Sequence, residues 1–427
     1  MKAWFKHAQP LALATAVAVV FGACDESLEG GNACPLLCPQ PPITMRDTTF
    51  VAVELDTAIA GYPSFATEAS MFLASFGDTL QTRGVVRYDS LPQLFRHNNS
   101  TVDSSIVFVD TGAVIKLSIV TGDTVGQPTT IEAYDVDLEG ADDSDPQAVV
   151  SAFTPERLLG SRTVPADSLR DTVSVPINPD RLLARIQSDT PGNRLRVGLR
   201  VTSASGSARL MVRTGNGQAP AVLRFRPSAD TSVNIIELTP FSKTPAEAFL
   251  AADYADYLVV ATPPPDPPSD VTRIGGLPGR RAYMRFNIPS RILDSSNVVR
   301  ATLLLTQRPN GFSPEPDDSV AIEPFAVTAG AGITDLSRAL LFLIATPGAD
   351  SARLVAADSG VRTFELIRLV KLWAATTAAK TPRALSLRST VEGVSGRQID
   401  FYSLEAPPEV RPRLRITYLP RTTGGLP

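Results

Sequence analysis

His97 is the one histidine downstream of the N-terminal apolar segment, and it limits the chemistry that the chain can support. A Ser-His-Asp triad would have to use it. It lies beside Asn98, Asn99 and Ser100, however, in a polar stretch that predicts a loop, and no G-x-S-x-G turn accompanies it. Zinc hydrolysis needs several His or Cys ligands. We therefore expect a solvated loop histidine and no catalytic residue, metal or cofactor.

Carboxylates offer two further kinds of chemistry. A glycosidase needs only two of them, and the 44 acidic residues of this chain single out no pair. A dense acidic run follows Tyr134, and its D-x-D-x-E-G start resembles that of an EF-hand loop, although Pro146 takes the place of the closing glutamate. We expect a solvated acidic loop, with calcium binding as the alternative. The run comprises Asp135, Asp137, Glu139, Asp142, Asp143 and Asp145.

Exposed aromatic rings would be the platforms of a sugar-binding site. Tyr283 falls in a predicted strand, and Tyr402 adjoins Phe401, so some of the candidates are expected to face the core. Trp373 lies on an apolar helix face and is predicted to be core. An aromatic content of 7% is low for a dedicated sugar binder. The platform candidates are Tyr254, Tyr257, Tyr283 and Tyr402.

The N-terminus is predicted to be an export signal. Lys2 and Lys6 precede the apolar run 11–21, which is too short to span a bilayer as a permanent helix. Phe21-Gly22-Ala23-Cys24 resembles the lipobox of bacterial lipoproteins, with Phe21 where Leu is usual. The resemblance implies a signal peptide over 1–23 and lipidation of Cys24, which would anchor the exported chain to the cell-envelope membrane, facing the periplasm or the cell surface. An ordinary secretory signal cut near Ala23 and a retained membrane helix are the alternatives.

Cys34 and Cys38 are the remaining cysteines. In an exported protein, a pair at this spacing is a disulfide candidate, with free thiols as the alternative. Residues 24–45 are rich in Gly, Pro and acidic residues, and we expect them to form a flexible tether. The net charge of −4 favours no nucleic-acid partner. A count of 36 prolines favours an all-β chain with many turns.

The chain repeats itself. Residues 84–92 read G-V-V-R-Y-D-S-L-P, and residues 282–289 read A-Y-M-R-F-N-I-P; further along each copy, Pro220 and Pro412 each precede a strand. Ile131–Val136 aligns with Ile322–Val327, and Phe72–Gly77 is matched to Tyr257–Thr262. A shared order of elements predicts two tandem domains.

Period-two alternation fills both copies. Leu195, Val197, Leu199 and Val201 predict a half-buried strand whose wet face carries arginines. Asn178 and Pro179 form a helix start, and the spacing of Leu366, Leu369, Val370 and Trp373 predicts a second helix. We predict two antiparallel β-sandwich or jelly-roll domains with a few short helices. The first domain covers 46–229, the second covers 230–420, and 421–427 form a tail. The arginine ladders are Arg194-Arg196-Arg200, Arg224-Arg226 and Arg413-Arg415, each expected to be solvated and to face cross-strand carboxylates.

The second copy resembles the DNRLRE-type domain, a jelly-roll module related to carbohydrate-binding modules and found in exported bacterial proteins. Five segments over residues 235–420 carry the resemblance, with Ser403-Leu404-Glu405 where the family often has S-R-E. The first copy looks like a diverged relative. The resemblance implies a β-sandwich that binds ligands or displays binding surfaces. It implies no set of catalytic residues. The five segments are R-R-A-Y-M-R-F-N-I-P, V-V-R-A-T-L-L-L, T-F-E-L-I-R-L-V-K-L-W, F-Y-S-L-E and R-P-R-L-R-I-T-Y.

These observations lead to a functional expectation. We expect a lipid-anchored cell-envelope protein that binds or supports other components and has no catalytic activity. Its candidate partners are the membrane, through Cys24, and polysaccharide or other envelope proteins. The alternatives are a carbohydrate-binding protein for envelope or extracellular glycans, and a glycan-acting hydrolase that uses a carboxylate pair.

Overall fold

The computed structural model describes residues 44–62, 70–98, 100–121, 127–138, 146–188, 193–204, 207–213, 221–242, 255–311, 319–327, 343–344, 351–375 and 384–421. The chain divides into two compact units, Met1–Arg46 and Asp47–Pro427. The second unit is mostly antiparallel β-structure of β-sandwich character with few helices.

For clarity, residues 46–229 are called the first half and residues 230–420 the second half. The strands of the first half are β1 (Arg46–Tyr62), β2 (Ser70–Phe76), β3 (Leu80–Tyr88), β4 (Leu94–Arg96), β5 (Asp103–Ser105), β6 (Val114–Thr121), β7 (Thr129–Asp135), β8 (Leu158–Val164), β9 (Thr172–Pro176), β10 (Leu195–Ser203), β11 (Ser207–Arg213) and β12 (Val222–Phe225). Its helices are α1 (Pro146–Ser151) and α2 (Pro179–Gln187), with 3₁₀ turns at Pro155–Arg157 and Ala166–Ser168.

The strands of the second half are β13 (Ile236–Leu238), β14 (Asp256–Thr262), β15 (Val271–Gly275), β16 (Gly279–Phe286), β17 (Ser296–Arg308), β18 (Ser319–Val327), β19 (Leu343–Ile344), β20 (Ala352–Val355), β21 (Gly360–Glu365), β22 (Ala384–Ser389), β23 (Gln398–Tyr402) and β24 (Arg413–Pro420). Its helices are α3 (Ser290–Leu293) and α4 (Ile367–Ala375).

Hydrogen bonding joins these strands into two large networks. One runs β13-β12-β6-β11-β2-β3-β10-β7-β8, with β14 paired to β3 and β9 paired to β6. The other runs β1-β24-β17-β23-β15-β16-β22-β18-β19, with β20 paired to β18, β21 paired to β17, and β1 also paired to β16. The short strands β4 and β5 form a separate hairpin.

The first half gives β1 to the network of the second half, and the second half gives β13 and β14 to the network of the first. β14, from the second half, pairs with β3, and its Tyr257 lies opposite Val85. β1, from the first half, pairs with β16, and its Thr57 lies opposite Tyr283. The two strands therefore occupy equivalent places, and the exchange is reciprocal. The pairing crosses the predicted boundary between residues 229 and 230.

This pairing corrects one correspondence inferred from the repeat. The counterpart of β2 is β15 rather than Tyr257–Thr262, because β2 and β15 each form a tight hairpin with the strand that follows. Phe76 pairs with Leu80 in the first hairpin, and Gly275 pairs with Arg280 in the second. The match of Ile131–Val136 with Ile322–Val327 is confirmed by strand register, since β7 pairs with β10 as β18 pairs with β22.

Each half has its own main hydrophobic cluster. Tyr88, Val197 and Phe225 are buried in the first, and Phe286 and Leu385 are buried in the second. Burial of each such side chain contributes about 1.5–3 kcal/mol of apolar transfer free energy. Separate cores explain why the alternating pattern recurs in both halves.

Two helices begin and pack as their sequences predict. The Asn178 side-chain oxygen accepts a hydrogen bond from the Arg181 backbone N–H at 3.1 Å, and this caps α2. α2 buries Leu182 and Ile186. α4 buries its apolar face in the second core, where Trp373 is only 6% exposed. The predicted core role of Trp373 is confirmed.

Candidate functional site

Several residues singled out in the sequence fall outside the described ranges. Cys24, Cys34 and Cys38 lie there, and so does Tyr254. The later part of the acidic run, Glu139 to Asp145, lies there as well. Lipidation, the disulfide and the tether therefore remain predictions.

The structure places His97 in the connection between β4 and β5. Its half-buried ring contacts Phe95, with the ring centroids 4.9 Å apart. Among the described residues, no group of three or more His, Cys, Asp or Glu side chains could hold a metal ion.

The start of the acidic run is not solvated. Arg185 Nη2 donates to Asp135 Oδ2 at 2.7 Å, and Arg194 Nη2 donates to Asp137 Oδ1 at 2.7 Å. Arg157 Nη1 donates to the backbone oxygens of both aspartates. The Asp137 side chain is only 4% exposed. Two guanidinium groups neutralise these two carboxylates, and a third donates to the backbone beside them. The expectation of a solvated loop is therefore wrong here, and these two residues do not fit a calcium site.

Two of the aromatic platform candidates belong to the core. Tyr257 is 1% exposed and Tyr283 is fully buried, whereas Tyr402 is half-buried. Arg308 lies over the Tyr402 ring, 5.9 Å from its centroid. Burial removes Tyr257 and Tyr283 as sugar platforms.

Arginines also depart from the expected solvated ladders. Arg196 is fully buried, and β10 is buried along most of its length. On the face away from the main core, Phe153, which follows α1, packs against Gly198. Three cross-strand pairs do form as expected: Arg200 with Glu132, Arg224 with Glu237, and Arg415 with Asp47.

The most unusual cluster lies on this same covered side of β3, β10 and β7. It consists of Arg83, Glu132, Tyr134, Phe153 and Arg200, and we call it the arginine face. Alternation along the strands places it opposite the main core of the first half.

Aromatic rings support the two arginines of this face. Arg200 lies over Tyr134, 5.0 Å from the ring centroid, and Arg83 lies 5.6 Å from the centroid of Phe153. The two rings are themselves 5.1 Å apart. Gly198 allows this packing, because a Cβ at that position would meet Phe153 Cζ at 2.5 Å. The arginines are therefore held on a small aromatic platform.

The charges of the two arginines are balanced differently. Arg200 pairs with Glu132, and this hydrogen bond raises the pKa of Arg200 although burial acts against it. Arg83 is 7% exposed, and burial, followed by repulsion from Arg200, lowers the pKa of Arg83 to about 10. Burial also raises the pKa of Tyr134. The cluster holds two guanidinium groups for one carboxylate.

Arg83 has neutral hydrogen-bond partners. Its Nη1 donates to the Thr82 backbone oxygen at 3.0 Å, and its Nη2 donates to Gln81 Oε1 at 2.8 Å. Within the described ranges, its Nε is buried without a hydrogen-bond partner. A buried cation that lacks a charged partner carries a desolvation cost.

The second half repeats part of the arginine face. Arg388 lies over Phe325, 4.0 Å from the ring centroid, as Arg200 lies over Tyr134. The strand registers of the two halves coincide and equate Arg83 with Arg281, Gly198 with Ser386, Arg200 with Arg388, Glu132 with Glu323, and Tyr134 with Phe325. Sequence reasoning missed this site; the repeated register of arginines and aromatic residues was the signal that could have found it.

The ion pairing of the equivalent arginines Arg83 and Arg281 differs between the halves. Arg281 forms a buried bidentate ion pair with Glu392: Nη2 donates to Oε2 at 2.7 Å, and Nε donates to Oε1 at 3.0 Å. Both side chains are less than a tenth exposed. Glu392 belongs to the connection 390–397 between β22 and β23, whereas β10 and β11 are joined by residues 204–206, which contain no acidic residue.

Comparison with known proteins adds little. No family model matches the chain, and no curated protein matches it. Solved structures with some similarity include the Macrobrachium rosenbergii nodavirus, at 9% identity and a TM-score of 0.15 over 90% of this chain and 91% of that chain. Another is infectious bursal disease virus Gt strain, at 11% identity and a TM-score of 0.14 over 92% of this chain and 81% of that chain. Likeness at this level carries no argument about fold or function.

No helix in the described part of the chain has the length and apolar character needed to cross a membrane.

Proposed function

We propose that this chain is a lipid-anchored cell-envelope protein, without catalytic activity, that binds or supports other envelope components. The observation that carries the proposal is the reciprocal exchange of β1 and β14. Strand exchange ties the two halves through backbone hydrogen bonds, and a tied pair of sandwiches suits the display of binding surfaces at fixed positions.

The exchange also bears on the proposed anchor. β1 is the first strand after the predicted tether over 24–45, and it is hydrogen-bonded to β24 and, over Ala52–Tyr62, to β16. Asp47 near its start accepts hydrogen bonds from Arg415 and Thr417 of β24. A pull on the tether would therefore be borne by a strand that pairs with two neighbours.

Labelling with a palmitate analogue in the producing cells tests the anchor. We expect label on the wild-type chain and none on Cys24→Ser, which should leave the membrane fraction. Cys34→Ser is the matched control, and it should stay labelled. Absence of label from the wild-type chain would contradict the anchor.

A glycan array tests the binding class. The proposal predicts no saturable binding to neutral envelope glycans, because Tyr257 and Tyr283 are buried in the core. Saturable binding at micromolar concentration would favour the carbohydrate-binding alternative. Release of reducing ends from an envelope polysaccharide would favour the hydrolase.

A further inference from the structure

β1 runs along the second half from one end to the other. Ala52, in its first part, lies opposite Phe286, where β16 stops, and Tyr62, its last residue, lies opposite Gly279, where β16 begins. Asp47, still nearer to the start of β1, accepts hydrogen bonds from β24. Because the predicted tether leads directly into β1, it joins the second half where β16 stops, and we call this the tether end.

The opposite end of the second half meets the first half. The turn between β15 and β16 carries Leu277, which is only 3% exposed and packs with Phe72 and Leu80 of the first half. The second half therefore lies between the start of β1 and the first half, although it comes later in the sequence. A lipid anchor upstream of β1 brings the tether end of the second half close to the membrane.

Several further elements meet at the tether end. β17 begins and β24 stops there, since Ser296 lies opposite Pro420. α3 follows β16 and packs against α4, and both helices pack on β17. These elements and the residue after β24 expose five basic side chains, which we call the basic end: Arg291, Arg300, Arg368, Lys371 and Arg421.

Acidic side chains are fewer at this end. Within the described residues of these elements, Asp294 is exposed after α3, and Glu365, at the end of β21, already pairs with Arg300. The connections 328–342 and 376–383 also leave from here, because β18 stops and β22 begins beside the end of β16. Their sequences contain three basic residues and one acidic residue. The positive charge of the basic end is therefore retained when these connections are counted.

Two apolar side chains are exposed among these charges. Val299 is 49% exposed, and Leu372 is 37% exposed. Long cationic side chains beside aliphatic ones suit the boundary between lipid headgroups and acyl chains, because the cations attract anionic headgroups while the aliphatic groups contact the acyl chains.

We propose that the basic end is a membrane-contact surface that binds the anionic headgroups of the bilayer to which the chain is anchored. This inference rests on the proposed anchor and adds an orientation to it. The second half lies against the membrane, and the first half is held away from it, where it is displayed to other envelope components.

A lipid surface is the favoured occupant because the chain approaches the basic end from its anchor. The predicted tether over 24–45 is rich in Gly and Pro, and a flexible chain of that length spans about 25 Å on average. The bilayer thus stays within reach of the basic end. Its charge also complements that of the basic end.

Co-sedimentation of the purified Cys24→Ser chain with vesicles tests the contact without the anchor. Vesicles of equal parts phosphatidylcholine and phosphatidylglycerol should bind the chain at low salt at least about tenfold more strongly than phosphatidylcholine vesicles, and high salt should release it. Binding of this kind is too weak to hold the chain in a washed membrane fraction, which agrees with the expected release of Cys24→Ser from that fraction. Equal binding to the two kinds of vesicle would overturn the proposal.

A pair of matched variants locates the contact. Lys371→Gln with Arg421→Gln removes two charges from the basic end and should weaken binding to the mixed vesicles by about 25-fold, or fivefold for each charge. Arg162→Gln with Arg170→Gln removes the same charge from exposed positions of the first half and should leave binding unchanged. Equal weakening by the two pairs, or no weakening by the first, would overturn the proposal.

A fluorescent reporter tests the orientation. In a chain with Cys24, Cys34 and Cys38 all changed to Ser, a polarity-sensitive dye is attached at Val299→Cys or at Val107→Cys, an exposed position of the first half. Mixed vesicles should shift the emission of the dye at position 299 to the blue and leave that at position 107 unchanged. A shift at position 107, or none at 299, would contradict the orientation. These tests use an unlipidated chain, so their failure is distinct from failure of the lipid-labelling test.

Discussion

Arg200 lies over the ring of Tyr134, 5.0 Å from its centroid, while its Nε also pairs with Glu132. The same strand positions in the second half bring Arg388 over Phe325. The contact links β10 to β7 and β22 to β18 on the side of each sheet that faces away from the main core. An arginine held over an aromatic ring is thus a duplicated structural element of this chain.

The contact between Arg200 and Tyr134 should contribute measurably to stability. We predict a coupling of about 1–2 kcal/mol in the free energy of unfolding from a double-mutant cycle with Arg200→Met and Tyr134→Leu, because the pair is partly desolvated. Urea denaturation of the four chains measures it. Tyr134→Phe keeps the ring and removes the hydroxyl, so it separates the two contributions. Additive effects of the two substitutions would contradict a direct interaction.

Gly198 is predicted to be intolerant of any side chain. A Cβ there would meet Phe153 Cζ and Val136 Cγ1, both at 2.5 Å. Gly198→Ala should therefore lower the free energy of unfolding by about 1–3 kcal/mol, the usual cost of overpacking. Gly311→Ala is the matched control, since among the described residues no atom beyond its chain neighbours lies within 4 Å of a Cβ at that position. Equal effects of the two substitutions in thermal denaturation would show that Phe153 does not pack on Gly198.

Much of this architecture could be predicted from the sequence, but some of it could not. Alternation and capping identify individual strands and the helices at Asn178 and Trp373, because those signals are local. The exchange of β1 and β14 was not predicted, because strand pairing depends on which strand edge is free in three dimensions. The edges of β3 and β16 each accept a similar strand, so the sequence does not say which strand pairs with which edge. The alternation of β10 predicted a solvated Arg196, and this was misleading because the side of β10 away from the main core is also covered, for example by Phe153 against Gly198, which is distant in sequence.

A buried ion pair in the second half should be costly to break. Arg273 donates to both oxygens of Asp400 at 2.8 and 2.9 Å, and the two side chains are 4% and 6% exposed. Asp400→Ala would leave the guanidinium buried and unpaired, so we predict a loss of about 3–5 kcal/mol in the free energy of unfolding.

The matched control for this ion pair is Arg308 with Asp270, whose side chains are 38% and 40% exposed. Asp270→Ala should cost less than about 1 kcal/mol, because water screens the pair. Chemical denaturation of both variants gives the comparison. Similar losses for Asp400→Ala and Asp270→Ala would contradict the burial of the Arg273 pair.

The start of β1 should loosen in acid. The hydrogen bond from Thr417, followed by that from Arg415, lowers the pKa of Asp47 below its ordinary value of 3.8. A depressed carboxyl pKa means that the stabilisation is complete above the ordinary value and is lost as the pH falls through the lowered one. Amide hydrogen exchange at Thr417 should accelerate, relative to its intrinsic rate, over that range. In Asp47→Asn this pH dependence should vanish; if it persists, another group controls the β1–β24 contact.

Strand exchange between the halves is the central structural claim, and a cysteine cross-link tests it most directly. Ala58 of β1 lies opposite Ala282 of β16, whereas an unexchanged β1 would place it opposite Gly84, the equivalent position of β3. Directly opposed strand residues are close enough for a disulfide. The test uses a chain with Cys34→Ser and Cys38→Ser, and mass spectrometry of the monomer under non-reducing conditions detects a disulfide between the two introduced cysteines. Ala58→Cys with Ala282→Cys should form an intramolecular disulfide, and Ala58→Cys with Gly84→Cys should not; the reverse pattern would contradict the exchange.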